Sequence, residues 1–191
     1  MNTPAHLLLG AALFGSKEPG KYKLTLGALL GGLLPDLSLY IMSAFAIVIL
    51  QTPAEVVFGE LYFSDSWQFV FRIDNSFVLW AALLGIAIKL GNGFFIALTA
   101  AAVLHLGCDF TLHNDDARVH FWPISDWRFI SPLSYWDSTH HAGIVAPIEG
   151  LLCGAATAYL LIKKIPVWLK LCFVSLLVAE IFVIRSWLLF F

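Results

Sequence analysis

An all-α bundle crossing a membrane about five times is the fold class this sequence predicts, and three observations predict it. Apolar residues make up 60% of the 191 and charged residues 13%, against roughly 45–50% and about 25% in ordinary soluble domains. The mean hydropathy is +0.84. The apolar residues also fall in runs of helix length, and about 20 residues cross about 30 Å of hydrocarbon. One membrane-embedded helical domain covering 1–191 holds them all, with no second domain needed. The formal net charge is −2 and no basic stripe runs along the chain, which argues against a nucleic-acid partner.

The runs are taken in order. Pro4–Gly15 is too short to span alone and has neither a basic n-region nor a small-residue cleavage site, so it is expected to be retained as a half-length helix. Thr3-Pro4 reads as its N-cap and first helical residue. Leu24–Leu50 is long enough to span, but Pro35-Asp36 follows Gly31-Gly32, which predicts a half-length helix, a break and a second helix from near Pro35. Broken helices in membranes usually line a site. Phe77–Leu90, Gly93–Leu112, Ala142–Ile162 and Val167–Phe191 are each expected to cross once.

This arrangement gathers Lys17, Lys21, Lys23, Lys89, Lys163, Lys164 and Lys170 on one side, the cytoplasm by the positive-inside rule. The expected location is the bacterial inner membrane, as a multi-pass protein. Segments 51–76 and 113–141 then become outward-facing loops, with Trp67, Trp122, Trp127 and Trp136 as an aromatic belt at the outer interface. Cys108, Cys153 and Cys172 all lie within apolar runs and read as packing residues rather than a disulfide.

The chemistry concentrates at the end of the fourth long run. In Ala97–His113 the strongly polar side chains are His105, Asp109 and His113. A spacing of four residues stacks them one turn above another on one helix face, a metal-ligand geometry. An ionisable residue in such surroundings is by default a functional-site residue. Counting about 1.5 Å of rise per residue from the nearest lysine places His6, Asp36, Asn75, His105 and Asp109 all in the outer half of the membrane. Ligands from separate segments are therefore expected to converge around one cation.

Thr3–Gly10 (Thr-Pro-Ala-His-Leu-Leu-Leu-Gly), Gly31–Asp36 (Gly-Gly-Leu-Leu-Pro-Asp), Asn75-Ser76-Phe77 and His105–Asp109 (His-Leu-Gly-Cys-Asp) follow one another in an order that resembles the YdjM-like family. Those are inner-membrane proteins described as metal-dependent hydrolases. The resemblance runs over roughly the first two thirds of the chain, and its force lies in order and spacing more than in any one motif. It implies that His6, Asp36, His105 and Asp109 hold the metal. Asn75 stands where that family has a His before Ser; an amide oxygen is the poorer zinc ligand, so either His113 or another histidine substitutes or the site has lost affinity for metal.

The segment 113–141 crowds Asp115, Asp116, His120, Asp137, His140 and His141 together without a lysine or glutamate, the palette of coordination and its supporting hydrogen bonds. A site of two His and two Asp with an open position suits a divalent ion, Zn or Mn, which acidifies bound water. Asp116 or Asp137 is then the expected proton acceptor. His140 joins them because Ser138-Thr139 beside it would cap the helix starting near Ala142. Arg72, Arg118 and Arg128 would hold a phosphate or carboxylate bidentately, with Asn75 also at the substrate. Together these predict a metal-dependent hydrolase at the outer-leaflet boundary, acting on a lipid-like or lipid-linked ester or phosphoester among membrane lipids. The same ligands allow a non-catalytic metal-stabilised scaffold or assembly factor. Asp36 at a helix break also suggests an ion-coupled transporter, and paired histidines a haem protein. Glu180 is expected to pair with Arg185, while Glu149 is placed to reach the site.

Overall fold

The computed structural model describes residues 1–16, 18 and 21–190, so Lys17 lies outside the described residues. Every regular element among them is helical: α1 (Thr3–Phe14), α2 (Tyr22–Ala44, continued by a π-helical turn Phe45–Ile49), α3 (Ala54–Val56, with a second π turn Val57–Leu61), α4 (Asp65–Asp74), α5 (Phe77–Lys89), α6 (Gly93–Leu112), a 3₁₀ turn Ser138–His140, α7 (Ala142–Leu161) and α8 (Val167–Phe190). Five helical stretches are long and apolar enough to span: Tyr22–Ile49, Asp65–Lys89, Gly93–Leu112, Ala142–Leu161 and Val167–Trp187. The chain is a multi-pass membrane protein.

Three expectations are corrected. The second run is not broken at Pro35; α2 passes through it, with Pro35 buried inside the helix. Proline removes the backbone donor that would bond the Gly31 carbonyl, a loss membrane helices tolerate where the bundle encloses them; one residue along, the Gly32 carbonyl takes a bond from His105 Nδ1 at 2.8 Å. Segment 51–76 is not a loop either. Most of it is helical, and α4 and α5 adjoin through Asn75-Ser76 to make the span Asp65–Lys89. The polar residues of α4 read as a loop, but the helix buries Gln68 and Phe71 on one face, and Ser76 caps the next helix by accepting from Leu79 N at 3.1 Å. Finally, Asn2 rather than Thr3 occupies the N-cap of α1. The Thr3 hydroxyl instead donates to Asp36 Oδ2 at 2.5 Å.

α1 is the central element. It is apolar on all sides, and such a helix is stable only when enclosed. Ala5, Leu8 and Ala11 are fully buried against a cluster that includes Cys153, Leu160, Leu169 and Phe173 of α7 and α8. Its opposite side meets α2 and α6 through small residues. A Cβ built on Gly32 would stand 2.9 Å from the His6 carbonyl oxygen, and one on Gly31 only 1.9 Å from the Leu98 carbonyl oxygen. Close backbone approach through small residues is the usual means of packing helices in lipid.

The described lysines share one end of the bundle. Leu24 touches Gly93, the Tyr22 and Trp168 rings meet edge to face at 6.2 Å, and tight turns join α5 to α6 and α7 to α8. The starts of α2, α6 and α8 and the ends of α5 and α7 therefore lie together. α1 runs the other way from α6, with its first residues against Asp109 and its last near Thr25. The short helix thus delivers His6 into the half of the bundle away from the lysines.

Candidate functional site

Asp109 is the centre of a buried cluster. Its Oδ1 lies 2.9 Å from His6 Nε2 and 3.2 Å from His113 Nε2, and its Oδ2 lies 3.0 Å from His105 Nε2. The Met1 amino nitrogen also contacts Oδ1 at 2.9 Å. His105 Nε2 is 3.6 Å from Asp36 Oδ1. The i, i+4 ladder of α6 accordingly places His105 and His113 on either side of Asp109, as the spacing predicts. His6 arrives from α1 and Asp36 from α2, so all five expected metal ligands stand in one place.

The ring orientations carry chemical information. His105 Nδ1 faces the Gly32 carbonyl at 2.8 Å, so that nitrogen carries the proton and donates. Its Nε2 then directs a lone pair at the carboxylates of Asp109 and Asp36. Lone pair against carboxylate repels, so the group of three favours a positive charge between them, a second proton or a metal ion, in addition to the Met1 ammonium already at Asp109 Oδ1. Nε2 makes no directed hydrogen bond to either acid, and His6 Nδ1 is also buried without a partner. The His6 and His105 rings stack 3.5 Å apart at an interplanar angle of 11°, an arrangement that two imidazolium ions would oppose.

Donor set and spacing fit a metal. His6, His105 and Asp109 each offer a ligand atom within 4.8 Å of the others. Two ligands about 2.0 Å from a tetrahedral zinc stand about 3.3 Å apart; His6 Nε2 and Asp109 Oδ1, in direct hydrogen-bond contact at 2.9 Å, would part slightly to admit an ion. The His105 bond to Gly32 is the kind of outer contact that fixes the tautomer of a ligating histidine. All three residues are at most 3% exposed.

Against one side of the cluster lies a cavity of about 580 Å³ whose wall includes Asp36, Asp109, His113, Asp116 and Arg118, with His6 and His105 behind that wall. His113 Nδ1 is 2.9 Å from Asp116 Oδ2. Burial pulls the His113 pKa down, but the carboxylates of Asp109 and Asp116 prevail and hold it above the usual value. Burial likewise pushes Asp116 up, but its contact with His113 outweighs this and keeps the carboxyl below its ordinary value, ionised and ready to accept a proton. The Tyr135 ring packs 5.2 Å from His113.

Other expected residues stand elsewhere. Asp137 and His140 bond to one another at 2.5 Å in the 3₁₀ turn and do not line the cavity. Asp137 caps that turn by accepting from Thr139 N at 2.8 Å. At the start of α7, His141 (φ 70°) occupies the N-cap without a side-chain capping bond. Arg72 pairs with Asp126 at 3.4 Å, and Arg128 is exposed. Asn75 turns its amide to the carbonyls of Phe71 (3.1 Å) and Pro35 (3.4 Å). It braces α2 rather than joining the ligands, and the third histidine at Asp109 is His113.

Asn2, Glu149 and Glu180 form a neighbouring group that sequence reasoning missed in part. Asn2 donates from its backbone to Glu149 Oε1 at 2.7 Å and from its side chain to Glu180 Oε1 at 3.1 Å. Trp187 Nε1 bonds Asn2 Oδ1 at 2.9 Å. Arg185 is exposed and forms no ion pair with Glu180 among the described residues, which corrects the expected pairing. Glu149 does come beside the site, through Asn2.

His120 is a structural histidine. Its Nδ1 donates to the Asn75 carbonyl at 2.9 Å, and its ring packs on Phe77 and Phe110 at 5.3 and 5.7 Å. Burial lowers its pKa to about 4, against a smaller upward pull from the Asn75 bond. With the folded value below the unfolded 6.5, its contribution to stability is full above pH 6.5 and is lost as pH falls toward 4. The expected loss is up to about 3 kcal/mol at about 1.36 kcal/mol per unit. Denaturant titrations in detergent between pH 4 and 6.5 should show this slope in the native chain and a flatter one in His120→Gln. His113, with its raised value, moves stability the opposite way above pH 6.5.

No protein-family model matches the chain, and no curated protein or solved structure matches it.

Proposed function

We propose that the protein is a metal-dependent hydrolase of the YdjM-like kind, embedded in the bacterial inner membrane and acting at the outer-leaflet boundary on a lipid-like or lipid-linked ester or phosphoester. One observation carries the reading: His105 donates from Nδ1 to Gly32 and aims Nε2 at two carboxylates, a place that calls for a cation. His6, His105 and Asp109 would hold the ion, with Asp36 and His113 flanking. Bound there, Zn²⁺ or Mn²⁺ supplies Lewis acidity and lowers the pKa of a coordinated water.

The remaining chemistry belongs to the chain. Asp116, ionised and held by His113, is placed to accept a proton at the cavity wall. Stacking against His6 and the Gly32 bond fix the His105 ring, so the ligand nitrogen is oriented in advance. The cavity accommodates a substrate head beside these groups, and its wall includes Tyr40, Phe58 and Phe63, each about half exposed. An aromatic wall of that kind suits an acyl chain.

The test is turnover. Detergent-purified protein should hydrolyse a short-chain phospholipid or a chromogenic phosphodiester, lose that activity on chelation, and regain it with Zn²⁺ or Mn²⁺. Metal bound without turnover of either substrate would assign the scaffold role instead. Absence of any bound metal would overturn both.

A further inference from the structure

Three arginines in the half of the molecule away from the lysines look equivalent in sequence, and the structure separates them. Arg72 is paired with Asp126 and Arg128 is exposed. Arg118 is 6% exposed, and no carboxylate lies within 4.0 Å of it among the described residues. Its Nη1 is buried without a hydrogen-bond partner. The guanidinium is held instead by aromatic faces, its central carbon 4.1 Å from the Phe71 ring centroid and 4.7 Å from that of Tyr62. It lines the same cavity as Asp109 and Asp116.

A buried, unpaired guanidinium is costly unless an anion completes it. Stacking on two rings fixes its plane while leaving its edge donors for a bidentate partner. No acid of the site stands within 4.0 Å of it; Asp116, on the same cavity wall, feels its charge but makes no contact and is engaged by His113. The cavity wall also includes Phe58 and Phe63, apolar and half exposed, with the Phe63 ring 4.8 Å from that of Tyr62, on which Arg118 stacks. The pocket thus sets an apolar, aromatic surface beside a cation.

We infer that Arg118 receives a phosphoryl group, and that the substrate of the proposed hydrolase is a phosphate-bearing lipid rather than a carboxylic ester. This rests on the hydrolase reading for the word substrate, but the binding it describes does not. A tetrahedral phosphate offers two oxygens to the guanidinium edge while the acyl chain lies along the aromatic wall.

The experiment measures binding by the full chain in detergent, as isolated, to three probes: dihexanoyl phosphatidic acid, dihexanoylglycerol and inorganic phosphate. Phosphatidic acid should bind at least about tenfold tighter than either of the others, the strength of one charged hydrogen-bonded contact. Arg118→Gln should remove the preference over dihexanoylglycerol, Arg118→Lys should keep only part of it, and Lys89→Gln on the exposed α5–α6 turn should keep all of it. If Arg118→Gln fails to fold, the Lys variant alone decides, because a lysine that preserves the full preference contradicts a stacked, bidentate role. Equal affinity for phosphatidic acid and inorganic phosphate would assign a free-phosphate site and overturn the lipid. Equal affinity for phosphatidic acid and dihexanoylglycerol would overturn the anion site. Metal content is measured on the same samples: its absence defeats the hydrolase reading and leaves the Arg118 result standing, and its presence without the preference does the reverse.

Discussion

Replacing Asp109 by asparagine should reduce bound metal from about one ion per chain to a small fraction of that, with at least about a hundredfold loss of affinity. Changes in the outer contacts of a metal site already cost about 10–100-fold, and Asp109 is far more than an outer contact. Both of its oxygens are in use, Oδ1 toward His6 and His113 and Oδ2 toward His105. Asparagine preserves the shape, so packing is retained, but it removes the negative charge and turns an NH₂ toward an imidazole. His105→Gln should act similarly by removing the nitrogen that faces both carboxylates. Asp137→Asn should leave metal content unchanged, since that carboxylate is engaged with Thr139 and His140. Elemental analysis of purified protein before and after chelation checks all three. An Asp109→Asn protein that keeps its metal would remove the cluster from consideration.

The parts of this site legible in the sequence are those set by local periodicity. The ladder His105, Asp109, His113 follows from spacing alone, because four residues make just over one helical turn. Asp36 and His6 were legible as polar residues at matching depth in apolar runs. What the sequence hid was set by contacts between distant segments. Pro35 reads as a break because a proline removes a local bond, and nothing nearby reveals that the helix is enclosed there, with His105 bonding the Gly32 carbonyl from across the bundle. Segment 51–76 reads as a loop because its acids and glutamine dominate, yet Gln68 satisfies itself on the Tyr62 carbonyl at 2.7 Å and lets α4 join α5. Arg72, Arg118 and Arg128 are indistinguishable by composition; burial and the nearest carboxylate tell them apart. Asn2 offered one signal that was passed over, a capping residue directly before Thr-Pro, and its amide reaches Glu180 across the bundle. The family resemblance has a His before Ser where this chain has Asn75; here Asn75 braces α2 through the Pro35 carbonyl, and His113 stands 3.2 Å from Asp109.

A methyl group on Gly31 should damage the site from a distance. In the native packing a Cβ there would lie 1.9 Å from the Leu98 carbonyl oxygen and 2.7 Å from its carbon, and backbone cannot move aside as a flexible side chain can. To restore an ordinary contact α2 and α6 would have to separate by roughly 1.5 Å, and overpacking of this kind costs about 3 kcal/mol or more. The displacement does not remain local. His105 is two turns beyond Leu98 on α6, and Gly32, which takes its Nδ1 bond, is the next residue after Gly31. Asp36, 3.6 Å from His105 Nε2, is five residues along α2. Gly31→Ala should therefore lower both stability in detergent and metal affinity, although residue 31 touches no ligand. Gly107→Ala is the matched comparison, on the same helix α6 and with nothing within 4 Å of the added carbon. It should leave metal binding intact and change stability by no more than about 1 kcal/mol, in the favourable direction expected when alanine replaces glycine in a helix. If the two variants behave alike, the close apposition of α2 and α6 is wrong, and with it the meeting of Asp36 and His105 that gives the cluster its second carboxylate.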